Sequence, residues 1–404
     1  MPAKKIKKTV YDVCVIGGCG RAGLPLALCL AKEGKKVAIV DIDASAVSRI
    51  MSGEMPFKEE GAKEILKRVL AKKRLLADTD PELIAQSKVL IFILGTPVSS
   101  HLYPTSTQFF RAVREYQPYF RNGQLMIFRS TLYPGTTEKL FRFFKKQKLD
   151  VDVSFCPERI SEGFAIREIY ELPQIIAGFS KRGLKRTREF FSIFTKDILE
   201  LAPEEAELAK LLTNAWRYIR FSIANQFFMI ANSRGLDFYK IYHAITHNYP
   251  RIKDMPKAGF AAGPCLFKDT MQLAAFSDNN LFIGHAAMLI NEGLPTYLIN
   301  RLKTQYDLES LTVGILGAAF KAESDDTRES LTYKLRNVLE KECKEVLMTD
   351  PFVRSEDLLP LSEVIRKSDL IILGAPHEAY RKLKFGKKKI VIDVWDFFGR
   401  GGVI

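Results

Sequence analysis

Asp12-Val-Cys-Val-Ile-Gly-Gly-Cys-Gly-Arg-Ala-Gly-Leu-Pro-Leu-Ala-Leu28 decides the fold. The apolar run Val13–Ile16 has the length of a buried strand, Gly18-Cys19-Gly20-Arg21-Ala22-Gly23 is a glycine-rich turn, and Leu24–Leu28 opens a helix. Glycines in such a turn let backbone amides approach a pyrophosphate at the positive end of the helix. The next strand ends at Asp41, 23 positions beyond Gly18, where a carboxylate accepts hydrogen bonds from a ribose diol and repels a 2′-phosphate. The pattern therefore points to NAD rather than NADP, with Asp43 either a second acceptor or a surface residue. A glycine turn with no ligand is the competing reading, and the strand, helix and acid around this one argue against it.

Working outward, the same pattern occurs a second time. Leu311-Thr-Val-Gly-Ile-Leu-Gly317 matches the first strand and turn, Glu345-Val-Leu-Met-Thr-Asp350 matches Val37-Ala-Ile-Val-Asp41, and Leu370-Ile-Ile-Leu-Gly-Ala-Pro376 matches Val89-Leu-Ile-Phe-Ile-Leu-Gly-Thr-Pro97. Short Val- and Ile-rich runs alternating with helical stretches indicate parallel sheets covered on both faces. The expected fold class is α/β, with two Rossmann-like doubly wound domains joined by a long central helix and a helical middle domain. The boundaries are residues 1–200 for an NAD-binding domain, 201–300 for the helical part and 301–404 for a second Rossmann-like domain. Pro203 to Ala231 carries few helix breakers, and Glu204 and Glu205 suit its first turn. Its apolar residues Leu208, Leu211, Leu212, Trp216, Ile219 and Ile223 predict one buried face, either against the domains or against a second subunit.

Composition narrows the class. At 404 residues, with 47% hydrophobic and 27% charged residues, the chain has the balance of an ordinary globular protein. Six cysteines without a CxxC pair indicate neither a disulfide framework nor a metal ribbon, so no metal is expected. The net charge of +14 attracts anions, but the basic clusters at Lys4–Lys8, Lys145–Lys148, Lys181–Arg188 and Lys387–Lys389 lack interleaved aromatics, so they read as solvated faces and no specific nucleic-acid partner is expected. Val13–Ile16, Val89–Leu94 and Leu370–Leu373 are too short for a signal core or a bilayer span, so a soluble, cytoplasmic chain is expected.

Further polar motifs follow in a fixed order. Arg129-Ser-Thr-Leu-Tyr-Pro-Gly-Thr-Thr-Glu138, Pro157-Glu-Arg-Ile-Ser-Glu-Gly163, Lys210-Leu-Leu-Thr-Asn214, Gly263-Pro-Cys-Leu-Phe-Lys-Asp-Thr270, Ile290-Asn-Glu-Gly-Leu-Pro295 and Ala319-Phe-Lys-Ala-Glu-Ser-Asp-Asp-Thr-Arg328 complete the series begun by Gly18–Gly23. The chain resembles, nearly end to end, the nucleotide-sugar 6-dehydrogenases of the UDP-glucose/GDP-mannose dehydrogenase family. That resemblance implies two-step, NAD-dependent oxidation of a sugar C6 alcohol to a carboxylate, with the aldehyde held on a cysteine. A covalent nucleophile explains how the acid is reached without releasing an aldehyde, and Cys265 matches it. Cys14, Cys29 and Cys343 lie in or beside apolar patterns and read as packing.

Lys210 and Asn214 share a helix face and can donate to an oxyanion together; an exposed Lys beside a neutral Asn is the bland alternative. By resemblance Asp269 supports the lysine and an ordered water, Glu158 is the base for thioester hydrolysis and also contacts the sugar with Arg159, and Thr131 positions water beside the cofactor. Gly18, Gly20, Arg21, Ala22, Gly23, Asp41, Thr96, Pro97, Thr131, Glu162 and Lys268 fall on the cofactor side. Arg251 matches an arginine that reaches a neighbouring subunit's sugar site, Gly263 belongs to the cysteine loop, and Lys321 and Arg328 match residues near the substrate phosphates. A homodimer through the central helix is implied.

The chain departs from its relatives at Phe267, where Pro is common, at Ala261 and Ala262 in place of glycines, and at Trp395, where many carry an arginine. Pro264-Cys-Leu-Phe-Lys-Asp269 resembles the UDP-glucose or GDP-mannose branch, whereas Pro157-Glu-Arg159 and Glu171-Leu-Pro-Gln174 resemble the UDP-N-acetylhexosamine branch. Two other readings compete. A two-domain NAD-dependent hydroxyacid dehydrogenase needs no cysteine and leaves the second α/β domain unexplained, and a basic anion-binding protein without turnover rests on charge alone.

Overall fold

The computed structural model describes residues 9–96, 106–261, 263–401 and 404; Pro97, Ala262 and the Lys4–Lys8 cluster lie outside the described residues. The chain divides into two compact units, residues 1–212 and 213–404.

The first unit alternates strand and helix as the apolar runs require. It contains β1 (Tyr11–Ile16), α1 (Gly23–Lys32), β2 (Val37–Val40), α2 (Ala44–Met51), α3 (Ala62–Ala71), β3 (Leu75–Asp78), α4 (Glu82–Ala85), β4 (Ser87–Phe92), α5 (Ser106–Glu115), β5 (Leu125–Phe128), α6 (Thr136–Lys146), β6 (Asp152–Phe155), α7 (Ala165–Glu171), β7 (Gln174–Gly178), α8 (Lys181–Phe191) and β8 (Ile198–Leu201), then enters the 31-residue α9 (Pro203–Ser233). Eight strands form one sheet in the order β3-β2-β1-β4-β5-β6-β7-β8, parallel except between β6 and β7. Alternation along each strand sends Val13, Val15, Ile39 and Ile127 to one face, under α1, α3 and α7, and Cys14, Ile16, Phe92 and Phe128 to the other, under α5 and α6. Burial of each such side chain stabilises by about 1.5–3 kcal/mol, which is why these runs form strands wherever the register allows.

The second unit begins inside α9 and continues through α10 (Phe238–Thr246), α11 (Leu266–Phe276), α12 (Phe282–Lys303), β9 (Thr312–Leu316), α13 (Leu331–Leu339), β10 (Glu345–Thr349), α14 (Leu361–Lys367), β11 (Leu370–Leu373) and β12 (Ile390–Ile392). Its four strands are parallel in the order β10-β9-β11-β12. β9 sits between β10 and β11 as β1 sits between β2 and β4, so the repeat read from the sequence is a repeat of topology.

The long helix extends two residues beyond Ala231, and Ala202 N–H is capped by the Glu205 carboxylate at its start. Within the single chain its buried face follows the apolar pattern only in part. Ala206, Glu207, Lys210, Leu211, Asn214, Ala215 and Tyr218 are buried, whereas Leu212, Trp216 and Ile223 are exposed. Of the apolar stripe expected to pack against the domains or a second subunit, Leu211 is covered within the single chain while Leu212, Trp216 and Ile223 are open to solvent, and the covered row also carries polar residues.

Part of the basic surface is neutralised locally. Within Lys181–Arg188, Arg182 and Arg186 both pair with the buried Asp152, and Arg188 pairs with Glu200. No helix among the described residues is long and apolar enough to cross a membrane.

Candidate active site

In the first unit the turn after β1 is shaped by close approaches. Gly17 has φ +74°, and a Cβ there would stand 2.5 Å from the Ile93 carbonyl oxygen. A Cβ on Gly18 would meet Val15 and Ile39, and one on Gly23 would meet the Gly18 Cα at 2.6 Å. Gly20 differs, with no atom within 4 Å of where its Cβ would be. Three glycines, Gly17, Gly18 and Gly23, thus close the turn onto the sheet, and Gly20 leaves a bare backbone facing open space ahead of α1. Ala22 caps α1 without a side-chain hydrogen bond, so the first-turn amides have no side-chain cap to compete with an anion. Asp41, following β2, is half-buried and accepts from Cys19 N–H at 2.9 Å through Oδ2 and from Asp43 N–H through Oδ1. This set fits a dinucleotide on the structure's own geometry: an open glycine, free clearance at the helix start and an acid tied to the loop.

The other carboxyl-end loops of this sheet carry the remaining residues. Thr96 follows β4, Thr131 lies after β5, and Glu158, Arg159 and Glu162 follow β6. Arg21 lies over the Phe57 ring, with its Nε 3.9 Å from Glu162, so two expected cofactor-side residues from distant segments meet. Arg159 donates to the Pro173 carbonyl. Glu158 accepts from Ile160 N–H and stands 4.0 Å from Lys210 Nζ, both side chains being largely buried.

One residue of this region was not expected from the sequence. Glu207, fully buried on α9, accepts from Gly135 N–H at 2.6 Å, Thr137 N–H at 2.7 Å and the Thr137 hydroxyl. It caps the start of α6 and ties down the loop that carries Thr131. Burial pushes its pKa up against the pull of these donors. Its signal was available: Glu207 lies three residues before Lys210, on the same helical face.

In the second unit Asn214 Nδ2 donates to Asp269 Oδ2 at 2.6 Å, and Asp269 Oδ1 lies 2.7 Å from Lys268 Nζ. Asp269 is fully buried in the first turn of α11, and Cys265 is the exposed residue that precedes this helix. The other five thiols are less accessible. Cys14, Cys19, Cys29 and Cys156 are buried and Cys343 is half-buried. Burial pushes the thiols of Cys29 and Cys156 up to about 12 and that of Cys343 to about 11.

The chain leading into Cys265 is held on three sides. Asn225, itself bonded to Asn291, accepts from Gly259 N–H at 2.8 Å. Gly259 lies against the Trp395 indole, and Gly263, at φ +105°, lies against the Phe320 ring, where an added Cβ would come to 2.5 Å. Gly263 N–H also reaches the Glu329 carbonyl at 3.3 Å. Gly263→Ala is therefore expected to lower stability by about 2–3 kcal/mol, through both the left-handed backbone and the ring contact, read as a drop in Tm of several degrees; an unchanged Tm would contradict the packing described. Trp395 fills space against this loop.

Lys321 lies beside the Phe320 ring, and Arg328 is locked in a bidentate pair with the buried Asp326. Arg251 is exposed between α10 and α11, with its guanidinium on Tyr249.

Comparisons with known proteins agree along the whole length. Three models of the UDP-glucose/GDP-mannose dehydrogenase family match: its NAD binding domain at residues 11–195, its central domain at 204–292 and its UDP binding domain at 314–400. The chain is 29% identical over 393 residues to a UDP-N-acetyl-D-mannosamine dehydrogenase of Pyrococcus horikoshii, covering 93% of each chain. It is 27% identical over 410 residues to one of Methanococcus aeolicus, covering 97% of this chain and 92% of the other. Among solved structures, a UDP-D-ManNAc dehydrogenase from Pyrococcus horikoshii superposes with a TM-score of 0.88 at 28% identity, covering 96% of each chain.

Proposed function

Because this chain belongs to the UDP-glucose/GDP-mannose dehydrogenase family and is an NAD-dependent nucleotide-sugar dehydrogenase, we propose that it oxidises the C6 alcohol of a UDP-N-acetylhexosamine to the acid through a covalent intermediate on Cys265. The single observation that carries this reading is Cys265, the exposed thiol at the start of α11, four residues before an Asp269 that is bonded to Asn214.

NAD, held by the Gly18–Gly23 turn with Asp41 on its ribose, supplies the hydride acceptor for both oxidations. The chain's own residues do the rest. Lys210 and Asn214 donate to the C6 oxygen as negative charge develops on it. The Cys265 sulfur adds to the aldehyde carbon, giving a thiohemiacetal, and the second oxidation leaves a thioester on the same sulfur. Glu158 takes a proton from a water positioned with Thr131; the water oxygen bonds to C6, the C–S bond breaks and the thiol leaves. Asp269 keeps Asn214 oriented. Balance requires one sugar, two NAD and one water to give the acid and two NADH.

The names of the archaeal relatives support N-acetylmannosamine as the hexosamine, in line with Pro157-Glu-Arg159 and Glu171-Leu-Pro-Gln174. The motif Pro264-Cys-Leu-Phe-Lys-Asp269 favours UDP-glucose as a second reading. A panel of UDP-N-acetylmannosamine, UDP-N-acetylglucosamine, UDP-N-acetylgalactosamine, UDP-glucose and GDP-mannose, followed by NADH yield and product mass, tests both. Two NADH per sugar and a carboxylate support the reaction; one NADH with a ketone or free aldehyde overturns it.

The proposal includes a homodimer through α9. Leu212, Trp216, Ile223, Phe227 and Ile230 form a row at helical spacing, and Trp216 is 58% exposed. Such a row on one long helix suits a second copy of itself about a twofold axis. Trp216→Glu is expected to shift the protein from dimer to monomer in light scattering at micromolar concentration; a monomeric parent, or an unaltered dimer in the variant, would contradict this.

A further inference from the structure

The turn after β9 copies the turn after β1. Gly317 N–H donates to the Thr349 carbonyl at 2.8 Å as Gly17 N–H donates to that of Val40 at 2.8 Å, and Asp350 follows β10 as Asp41 follows β2. The two acids are used differently. Asp41 is half-buried and accepts from the amides of Cys19 and Asp43, whereas the Asp350 carboxylate is fully enclosed. It accepts from the amides of Ala318, Ala319, Phe352 and Val353 and contacts His377 Nε2 at 3.1 Å. Where the acid of the first repeat would face a ribose, that of the second faces an imidazole.

That imidazole has a second contact. His377 Nδ1 accepts from Glu323 N–H at 3.0 Å, and the Phe352 and Tyr380 rings wall it in. Despite burial, the His377 contact and neighbouring amides hold the Asp350 carboxyl down at about 2, so it is ionised and can only accept. Nε2 therefore carries the proton and Nδ1 the lone pair, a single tautomer fixed by one partner on each side. Glu323 has φ +56°, a conformation a non-glycine residue keeps only when its surroundings impose it. A second tie runs from Glu378 N–H to Glu323 Oε1 at 2.9 Å. The segment held this way, residues 320–329, carries Lys321 and Arg328, and its Phe320 ring and Glu329 carbonyl hold Gly263, two residues before Cys265.

We propose that His377 is a positioning residue: Asp350 sets its tautomer, and its Nδ1 holds loop 320–329 in the shape that binds the nucleotide diphosphate. This rests on the reading of Lys321 and Arg328 given above. Two substitutions separate its two bonds. His377→Gln can reach Asp350 with an amide donor but removes the acceptor for Glu323 N–H; His377→Asn can keep that acceptor but falls short of Asp350.

The expected result for His377→Gln is an approximately tenfold rise in the KM for the nucleotide sugar and in the Kd for UDP alone, with kcat and the KM for NAD within about twofold. Amide exchange of residues 320–329 in the ligand-free protein should quicken by about the same factor. His377→Asn should keep UDP affinity and slow exchange while lowering Tm more than the glutamine variant does. UDP affinity that follows Tm across the two variants, or that neither variant changes, would overturn the proposal. The exchange measurement uses no substrate, so it decides the pinning of the loop even if no nucleotide sugar is oxidised.

Discussion

Cys265→Ala is expected to lower acid formation at least about a thousandfold, the scale on which removal of a covalent nucleophile is felt. No other thiol can replace it: Cys14, Cys19, Cys29 and Cys156 are buried with pKa values raised by burial, and Cys343 is half-buried with its own raised. The fold should be unaffected, because the Cys265 side chain is exposed and makes no side-chain cap to α11. NAD affinity should be unchanged as well. Product analysis by mass spectrometry distinguishes the outcomes, and acid formed at the wild-type rate would remove Cys265 from the chemistry.

Lys210→Ala is expected to lower kcat by about 10²–10³, with the nucleotide-sugar KM within a few-fold. The lysine is nearly fully buried, and its ammonium has Glu158 at 4.0 Å, so its removal takes away the proposed oxyanion donor and also the positive neighbour of the proposed base. Lys210→Arg keeps the charge but spreads it over a planar fork that does not superpose on a point donor, so little rescue is expected. Steady-state kinetics read the split: a loss confined to KM would make Lys210 a binding group, and an unchanged kcat would rule out the oxyanion role.

Strands were legible where they are buried on both faces and so appear as uninterrupted apolar runs; Val13–Ile16, Val37–Val40 and Leu370–Leu373 need no partner to be recognised. The glycine turn was legible for a similar reason, since the lack of a Cβ at Gly18 and Gly23 is a local steric requirement written in the sequence. The face of α9 that is buried within the single chain was legible only in part. Counting apolar residues favours Leu212, Trp216 and Ile223, while the covered row holds Glu207, Lys210 and Asn214, whose burial depends on partners up to 72 residues away in sequence. Asn225 and His377 escaped notice because each acts through backbone amides brought to it by folding, and an amide donor leaves no mark on residue identity. Arg328 shows the reverse: its motif position was plain, but its pairing with Asp326 appears only in three dimensions.

The covalent intermediate on Cys265 is tested most directly by trapping it. In Glu158→Gln, with the proposed hydrolytic base removed, NAD and the accepted nucleotide sugar should give a burst of two NADH per subunit. Acid quench and peptide mass spectrometry should then find the oxidised sugar nucleotide attached to the peptide containing Cys265. A burst with no adduct on that peptide, or an adduct on another residue, would contradict the account.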